Sequence, residues 1–140
     1  MKPPKTLLHY RVNAYTLTEI LVVLVIIGIL VLLALPNLLP LITKAKTTEA
    51  KLQLEHIQTL EKNYFYEHSK YSKNLTEIGF IQEKLTTETN GHANYKIEIT
   101  DATNTGFTAK ATSVVDFNGN GTFNVWSVDQ DKNLKEVTPD

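Results

Sequence analysis

The chain has 140 residues, which is enough for one domain and an additional segment but too few for two full domains. Its 14 basic and 15 acidic side chains nearly balance, so bulk charge does not indicate a nucleic-acid partner. The sequence contains no cysteine, which excludes disulfides, thiolate metal sites and cysteine nucleophiles. A folded domain must therefore be held by its apolar core, by polar networks or by a metal.

The first predicted element is a long apolar helix near the N-terminus. Residues 20–35 contain no polar side chain, and residues 15–35 would form a helix of about 31 Å, against a bilayer hydrocarbon core of roughly 30 Å. Basic residues precede the run, namely Lys2, Lys5 and Arg11, which predicts that the chain beyond it faces outside. The far end lacks an A-x-A-like cleavage site, so we expect the helix to be retained.

Beyond Pro40 the sequence keeps a helical pattern to about Ser69. Apolar residues recur on one face at helical spacing: Ala50, Leu54, Ile57 and Tyr64. Glu61 intrudes on that face, and Leu52 lies opposite it. Pro36 and Pro40 each remove a helix hydrogen bond, so we expect a bend or local unwinding where the apolar run ends.

The remainder of the chain is rich in strand and turn signals. Asn74 and Gly79 predict the start and end of one short helical turn, and Asn90–Gly91 predicts a tight turn. Strands are expected at 95–100, 106–113, 122–128 and 134–137. The simplest assembly is an α+β fold, in which an antiparallel sheet of three or four strands packs on the amphipathic half of the long helix.

Two polar stretches near the C-terminus have the composition of cation-binding loops. Asp116, Asn118 and Asn120 have the alternating spacing of the first ligands of a calcium loop. Ser127 stands where an EF-hand has its glutamate, so the alternative interpretation is a tight Asn-Gly turn between strands. The stretch 129–133 is similar, and we predict a hairpin turn there without a metal.

No group of residues predicts an enzyme. His56 and His68 would lie on different faces of a helix, and no serine, histidine and acid combination stands out. Aromatic residues at 64–66 have no cluster of basic residues beside them, which does not favour DNA capture. We therefore expect no catalysis, and the residues do not favour nucleic-acid binding without excluding it.

Residues 14–36 combine four features in one window. A short basic leader precedes them, Glu19 is the fifth residue after Ala14, Gly28 interrupts the apolar run, and Pro36 closes it. In these features the chain resembles type IV pilins and the pseudopilins of type II secretion systems. The resemblance is close over about the first 55 residues, and beyond them it rests on the α+β architecture.

The resemblance implies processing and polymerisation. A prepilin peptidase would cut between Ala14 and Tyr15, and the new amine of Tyr15 would be methylated. The family usually has glycine where Ala14 stands, and phenylalanine or methionine where Tyr15 stands, so the efficiency of cleavage is left open. The implied parts are a leader (1–14), a membrane and filament-core helix (15–42) and an extracytoplasmic head (43–140).

Within that resemblance, each N-terminal feature has an expected role. Glu19 would pair with the Tyr15 amine of a neighbouring subunit, because an uncompensated charge in an apolar bundle costs several kcal/mol. The alternative is that Glu19 lies at the membrane surface without a partner. Gly28 would be a helix-packing notch, and Pro36 would mark a bend. The implied partners are the peptidase, other pilins including copies of this chain, an assembly ATPase and a platform protein.

Three functions are consistent with these features. The first is a structural subunit of a pilus or of a periplasmic pseudopilus, held in the inner membrane before assembly with its head outside the cytoplasm. The second is a minor pilin whose head binds DNA, a surface or a secreted protein, and the third is an anchored domain that never polymerises. Cysteine-free pseudopilins often bind calcium in a C-terminal loop, so the metal-like loop favours a pseudopilin slightly.

Overall fold

The computed structural model describes residues 14–140, except for the side chains of Asn37 and Leu39. Most of the predicted leader therefore lies outside the described residues. One helix precedes four strands: α1 (Leu17–His68), β1 (Tyr95–Ala102), β2 (Phe107–Ser113), β3 (Val125–Asp129) and β4 (Lys135–Thr138). The chain divides into two compact units at Pro36, whereas the limits 15–42 and 43–140 follow from expected processing and stay predictions.

The first unit carries the apolar part of α1. The segment Leu17–Pro36 is long and apolar enough to cross a membrane by length and composition, and none of its side chains is buried. An exposed apolar surface of this extent is typical of a segment that contacts lipid or other protein. The helix continues through Pro36 and Pro40, so the local unwinding that we expected there is absent, while a bend stays a prediction.

The second unit, the head, buries one face of α1. Ala50, Leu54 and Ile57 are fully buried, and their spacing of three and four residues places them on one side of the helix. Leu52 lies on the opposite side and is 61% exposed, as predicted. Tyr64 is partly buried against the same core.

The four strands form one antiparallel sheet in the order β1-β2-β3-β4. Alternate residues of β1 are buried, namely Tyr95, Ile97 and Ile99, and they join the core cluster that contains the buried face of α1. Alternate residues of β2 are buried in the same way: Phe107, Ala109 and Ala111. The predicted α+β fold and all four predicted strands are confirmed.

The segment between α1 and β1 consists of turns. Phe80 N–H donates to the Leu75 carbonyl at 2.9 Å and Gly79 has φ +80°, so the expected helical turn at 74–79 is a hydrogen-bonded turn instead. The predicted turn at Asn90–Gly91 is present. A Cβ at Gly91 would lie 1.7 Å from the Leu85 carbonyl oxygen, so only glycine fits there.

Candidate functional site

Glu19 lies in the first turn of α1 and has a local partner. Its N–H donates to the Thr16 hydroxyl at 3.3 Å, and its carboxylate accepts the Thr16 N–H at 3.4 Å. This reciprocal pair is a capping box, and an acid at a helix N-terminus is also favoured by the helix dipole. Sequence reasoning missed Thr16, although the T-x-x-E spacing is the signature of this motif.

The residues of the expected cleavage point lie just before the helix. Ala14 and Tyr15 are not part of α1, and Tyr15 is 76% exposed. The bond between them therefore lies outside the helix and between two exposed residues, where a protease can reach it. Cleavage between Ala14 and Tyr15, and the pairing of the new amine with Glu19, stay predictions.

The apolar segment offers a continuous surface for packing. Gly28 lies near its middle, and a Cβ at that position would meet nothing within 4 Å. Its apolar neighbours are exposed, for example Leu24 at 64% and Leu32 at 70%. Pro36 is exposed at the end of the segment. The unit therefore has an apolar surface without a partner among the described residues, and a packing role for Gly28 stays a prediction.

The outward side of α1 in the head also carries apolar residues. Leu41 and Leu52 are each 61% exposed, and Tyr66 is 71% exposed. At about 100° per residue these three side chains fall within about 40° of one another around the helix, on the side away from the core. Ala45 lies beside them and is exposed as well. We call Leu41, Ala45, Leu52 and Tyr66 the apolar row of the head. The exposed polar side chains of Thr48, Glu55 and Thr59 lie between them on the same side of the helix.

The first metal-like loop is organised by Asp116. One carboxylate oxygen accepts the Gly119 N–H at 2.6 Å, and the other accepts the Gly121 N–H at 2.7 Å. These hydrogen bonds favour the ionised carboxylate and hold the pKa of Asp116 below its ordinary value. The bond from the Gly121 N–H contributes most, and that from the Gly119 N–H contributes less. Gly119 and Gly121 have φ +77° and +85°, which only glycine adopts without strain.

The two asparagines of this loop also bind backbone amides. Asn118 Oδ1 accepts the Asn120 N–H at 2.9 Å, and Asn120 Oδ1 accepts the Thr122 N–H at 2.6 Å. The oxygens expected to ligate calcium therefore face the loop's own amides. Among residues 14–140 no group of three or more Asp, Glu, His or Cys side chains could hold a metal ion. This geometry favours the tight turn, and calcium binding stays a prediction.

The second metal-like stretch is the turn from β3 to β4. Asp129 Oδ1 accepts the N–H groups of Asp131 and Asn133, both at 3.0 Å, and the Asn133 amide donates to Asp129 Oδ2. Partial burial acts to raise the pKa of Asp129, but these bonds, led by that of the Asn133 side chain, hold it below its ordinary value. The predicted hairpin turn between β3 and β4 is confirmed, and the absence of a metal from it stays a prediction.

A buried polar network joins the core to β4. The Tyr95 hydroxyl donates to Asn124 Oδ1 at 2.8 Å, and the Asn124 amide donates to Glu136 at 2.6 Å and to the Thr138 carbonyl at 3.1 Å. Asn124 is fully buried, and sequence reasoning gave no signal for it. Burial, aided by the negative charge of Glu49, raises the pKa of the Tyr95 hydroxyl well above its ordinary value.

Comparisons with known proteins cover both units. A family model described as "Prokaryotic N-terminal methylation motif" matches residues 10–35. A second, described as "Type IV minor pilin ComP, DNA uptake sequence receptor", matches residues 39–122. The chain is also 39% identical over 74 residues to "Type IV major pilin protein PilA" of Myxococcus xanthus (strain DK1622). That similarity covers 53% of this chain and 34% of the relative, so the chain spans about a third of the relative's length.

These matches agree with the arrangement of the molecule. The methylation motif falls on the capped start of α1 and its exposed apolar segment, and the pilin model covers the head from α1 through the loop of Asp116. The second model alone spans more than half of the chain. The chain belongs to the type IV pilin family.

Proposed function

We propose that this protein is a structural subunit, not an enzyme, that polymerises through α1 into a type IV pilus or a type II secretion pseudopilus. The observation that carries the proposal is the exposed apolar segment Leu17–Pro36, whose first turn contains Glu19, bonded to Thr16 in a capping box. Such a segment requires lipid before assembly and the same segment of other subunits after it. Packing between copies would bury the apolar surface that the single chain leaves exposed.

Glu19 would set the register of the polymer. Hydrolysis of the Ala14–Tyr15 bond by a prepilin peptidase would leave an ammonium group on Tyr15, and methylation would keep its positive charge. Inside an apolar bundle this cation and the Glu19 carboxylate of a neighbouring subunit each cost several kcal/mol unless they pair. Only the arrangement that brings them together avoids both costs.

The apolar row of the head supports contacts beyond the membrane segment. Leu52 and Tyr66 lie outside both Leu17–Pro36 and the expected membrane helix (15–42), so lipid does not account for their exposure. A neighbouring subunit that packs on α1 would cover them. We expect Leu52→Glu to leave the head folded and to reduce incorporation into filaments. Thr59→Glu adds a charge on the same side without removing an apolar side chain. An equal loss of incorporation in Thr59→Glu would mean that the added charge, and not the loss of Leu52, is responsible.

The proposal implies a sequence of locations and partners. The leader (1–14) would remain in the cytoplasm, the helix (15–42) would span the inner membrane, and the head (43–140) would lie outside. The partners would be the prepilin peptidase, an assembly ATPase, a platform protein and other pilins including copies of this chain. A calcium ion held by Asp116, Asn118 and Asn120 is a separate proposal.

The deciding experiment compares membranes with sheared surface filaments by intact mass. The expected wild-type product in filaments begins at methylated Tyr15. Glu19→Ala should be cleaved normally but remain in membranes, whereas Glu67→Ala, which removes an exposed acid at the other end of α1, should assemble. Normal filaments from Glu19→Ala would remove the pairing role. Recovery of only the uncleaved chain, in membranes alone, would favour an anchored domain that does not polymerise.

A second candidate function is that of a minor pilin that binds DNA. It is favoured by the family model over residues 39–122, whose description names a DNA uptake sequence receptor. The near balance of charge in the chain does not favour it. The test is DNA binding by the full chain in detergent over a series of salt concentrations. Binding that weakens steeply with salt and prefers one sequence would support this function, and its absence would leave the structural role.

A further inference from the structure

Helix α1 places an acid in the middle of its buried face. Glu61 is fully buried, on the side of the helix that carries Leu54 and Ile57. One carboxylate oxygen accepts the Ser72 N–H at 3.0 Å, and the other is buried without a hydrogen-bond partner among the described residues. An ionised carboxylate there loses its hydration without full replacement, which is costly.

The polar groups nearest to Glu61 offer no positive charge. Ser72, which binds Glu61 through its N–H, donates its hydroxyl to the Glu77 carboxylate at 2.6 Å. Burial raises the pKa of the Tyr71 phenol, and the negative charges of Asp131, in the β3–β4 turn, and of Glu61 raise it further. The connection that follows α1, residues 69–80, also carries Lys70 and Lys73, but both are exposed. Among the described residues no positive charge acts on the Glu61 carboxyl.

The connection is also a junction between elements. The Tyr71 ring packs between Phe65 of α1, at 4.8 Å between ring centroids, and Phe107 of β2, at 5.1 Å. The Tyr71 N–H donates to the Thr103 carbonyl at the end of the β1–β2 hairpin. The segment that follows α1 is therefore held at one point by the helix, the sheet and the Glu61 carboxyl together.

We propose that Glu61 is a proton-linked latch: α1 and the segment 69–80 are held most tightly when the Glu61 carboxyl carries a proton, and ionisation of Glu61 loosens them. The unpaired oxygen would carry the proton, while the other keeps the Ser72 N–H. This role concerns the fold of the head and does not depend on whether the chain polymerises or binds DNA.

The sign of the pH dependence follows from burial. Burial raises the pKa of Glu61, and the Ser72 N–H offsets this only in part. The folded head therefore holds a proton that the unfolded chain releases near pH 4.3. Stability is greatest below that value and falls as the pH rises through the folded pKa of Glu61. Asp116 and Asp129, whose pKa values are lowered, act in the opposite direction and below about pH 4.

The full chain in detergent can be tested directly. Trp126 in β3 is the only tryptophan of the sequence, so its fluorescence reports the unfolding of the head. In the wild type the unfolding equilibrium constant, measured from pH 4 to pH 8, should increase as the pH rises above about 4.3 and should level off beyond the folded pKa of Glu61, with a slope of at most about tenfold per pH unit. Glu61→Gln keeps the shape and an acceptor for the Ser72 N–H, and it should lose this increase. Glu55→Gln, an exposed acid of the same helix, should keep it.

Amide exchange provides a second measurement that does not require the variant to fold. The protection factor of the Ser72 amide in the wild type, corrected for the intrinsic exchange rate, should fall over the same pH range. The protection factor of the Ala109 amide, in β2, should fall only by the amount that the global free energy of unfolding accounts for. Equal pH dependence in wild type and Glu61→Gln, or a Ser72 protection factor that does not change with pH, would overturn the proposal.

Discussion

The two units of this chain differ in whether their apolar side chains are buried. Along Leu17–Pro36 no side chain is buried, whereas in the head the apolar face of α1 is covered by the sheet. Their acids differ in the same sense. Glu19 is exposed and bonded within a helix cap, while Glu61 is buried with one oxygen unpaired.

This difference separates what each part of the helix requires. The head contains its own apolar core and can be destabilised from within. The segment Leu17–Pro36 has no core of its own, so its energetics depend on lipid and on other subunits. Substitutions in one unit should therefore leave the other unit's properties unchanged, which the following variants test.

The largest expected effect is the difference in stability between alanine substitutions at two leucines of the same helix. Leu54→Ala removes a fully buried side chain and should lower the free energy of unfolding of the head by about 2–5 kcal/mol. Leu52→Ala, at an exposed position, should change it by no more than about 0.5 kcal/mol. Denaturant unfolding followed by Trp126 fluorescence measures both. Similar losses would mean that the head does not close its core on α1 as described.

A charge in the apolar segment should affect only the first unit. Val25→Arg should make membrane insertion less favourable by about 2.5–3.5 kcal/mol, because Glu19, the acid of the segment, lies six residues away on a different face of the helix and cannot pair with the arginine. Val25→Leu is the matched control. Membrane fractionation measures insertion, and Trp126 melting in detergent should be the same for both variants. A lower melting temperature of the head would show that the two units are not independent.

The buried polar network of the head should give an intermediate effect. Tyr95→Phe keeps the ring but leaves Asn124 Oδ1 without its donor, which should cost about 1–3 kcal/mol. Tyr66→Phe, at an exposed tyrosine, is the control and should have no measurable effect. Above about pH 10 the difference in free energy of unfolding between the wild type and Tyr95→Phe should become smaller. The reason is that the raised pKa of Tyr95 makes the wild type lose stability there.

The smallest effect is expected in the loop of Asp116. Asp116→Asn should destabilise the head slightly at neutral pH, because the ionised form accepts two loop amides better. Since the pKa of Asp116 is lowered, this advantage exists above about pH 4 and disappears as the pH falls through the folded pKa. Melting curves of both forms at pH 2.5 and pH 7 measure it.

The same pair of proteins tests calcium. If the loop is a turn without a metal, calcium or a chelator should not change the melting temperature of either form. A rise with calcium in the wild type alone would establish a site at Asp116 and would contradict the turn interpretation.

Periodic features of the fold were predictable from the sequence. Alternation in 95–100 and 106–113 predicted β1 and β2, and helical spacing predicted the buried residues of α1 from Ala50 to Ile57. The conspicuous position of Glu61 on that face was also visible. These patterns are local, so they do not require knowledge of the tertiary structure.

The partners of polar residues were not predictable in the same way. Glu61 bonds to a residue eleven positions away, and Tyr95 bonds to Asn124, which is 29 positions away. No periodicity relates such pairs, because the tertiary fold alone brings them together. The local unwinding that we expected at Pro36 and Pro40 is absent, because each proline removes only one helix hydrogen bond and the surrounding turns of α1 remain bonded.

The cap at the start of α1 changes how assembly should be thought of. Because the Glu19 carboxylate already accepts the Thr16 N–H, a subunit in the membrane does not hold a bare anion that waits for a cation. Joining a filament would replace the Thr16 amide by an ammonium group as the partner of Glu19. The free energy gained would be the difference between these two interactions. Under the proposed polymerisation, the free energy that this pairing contributes would therefore be smaller than the full cost of an uncompensated charge.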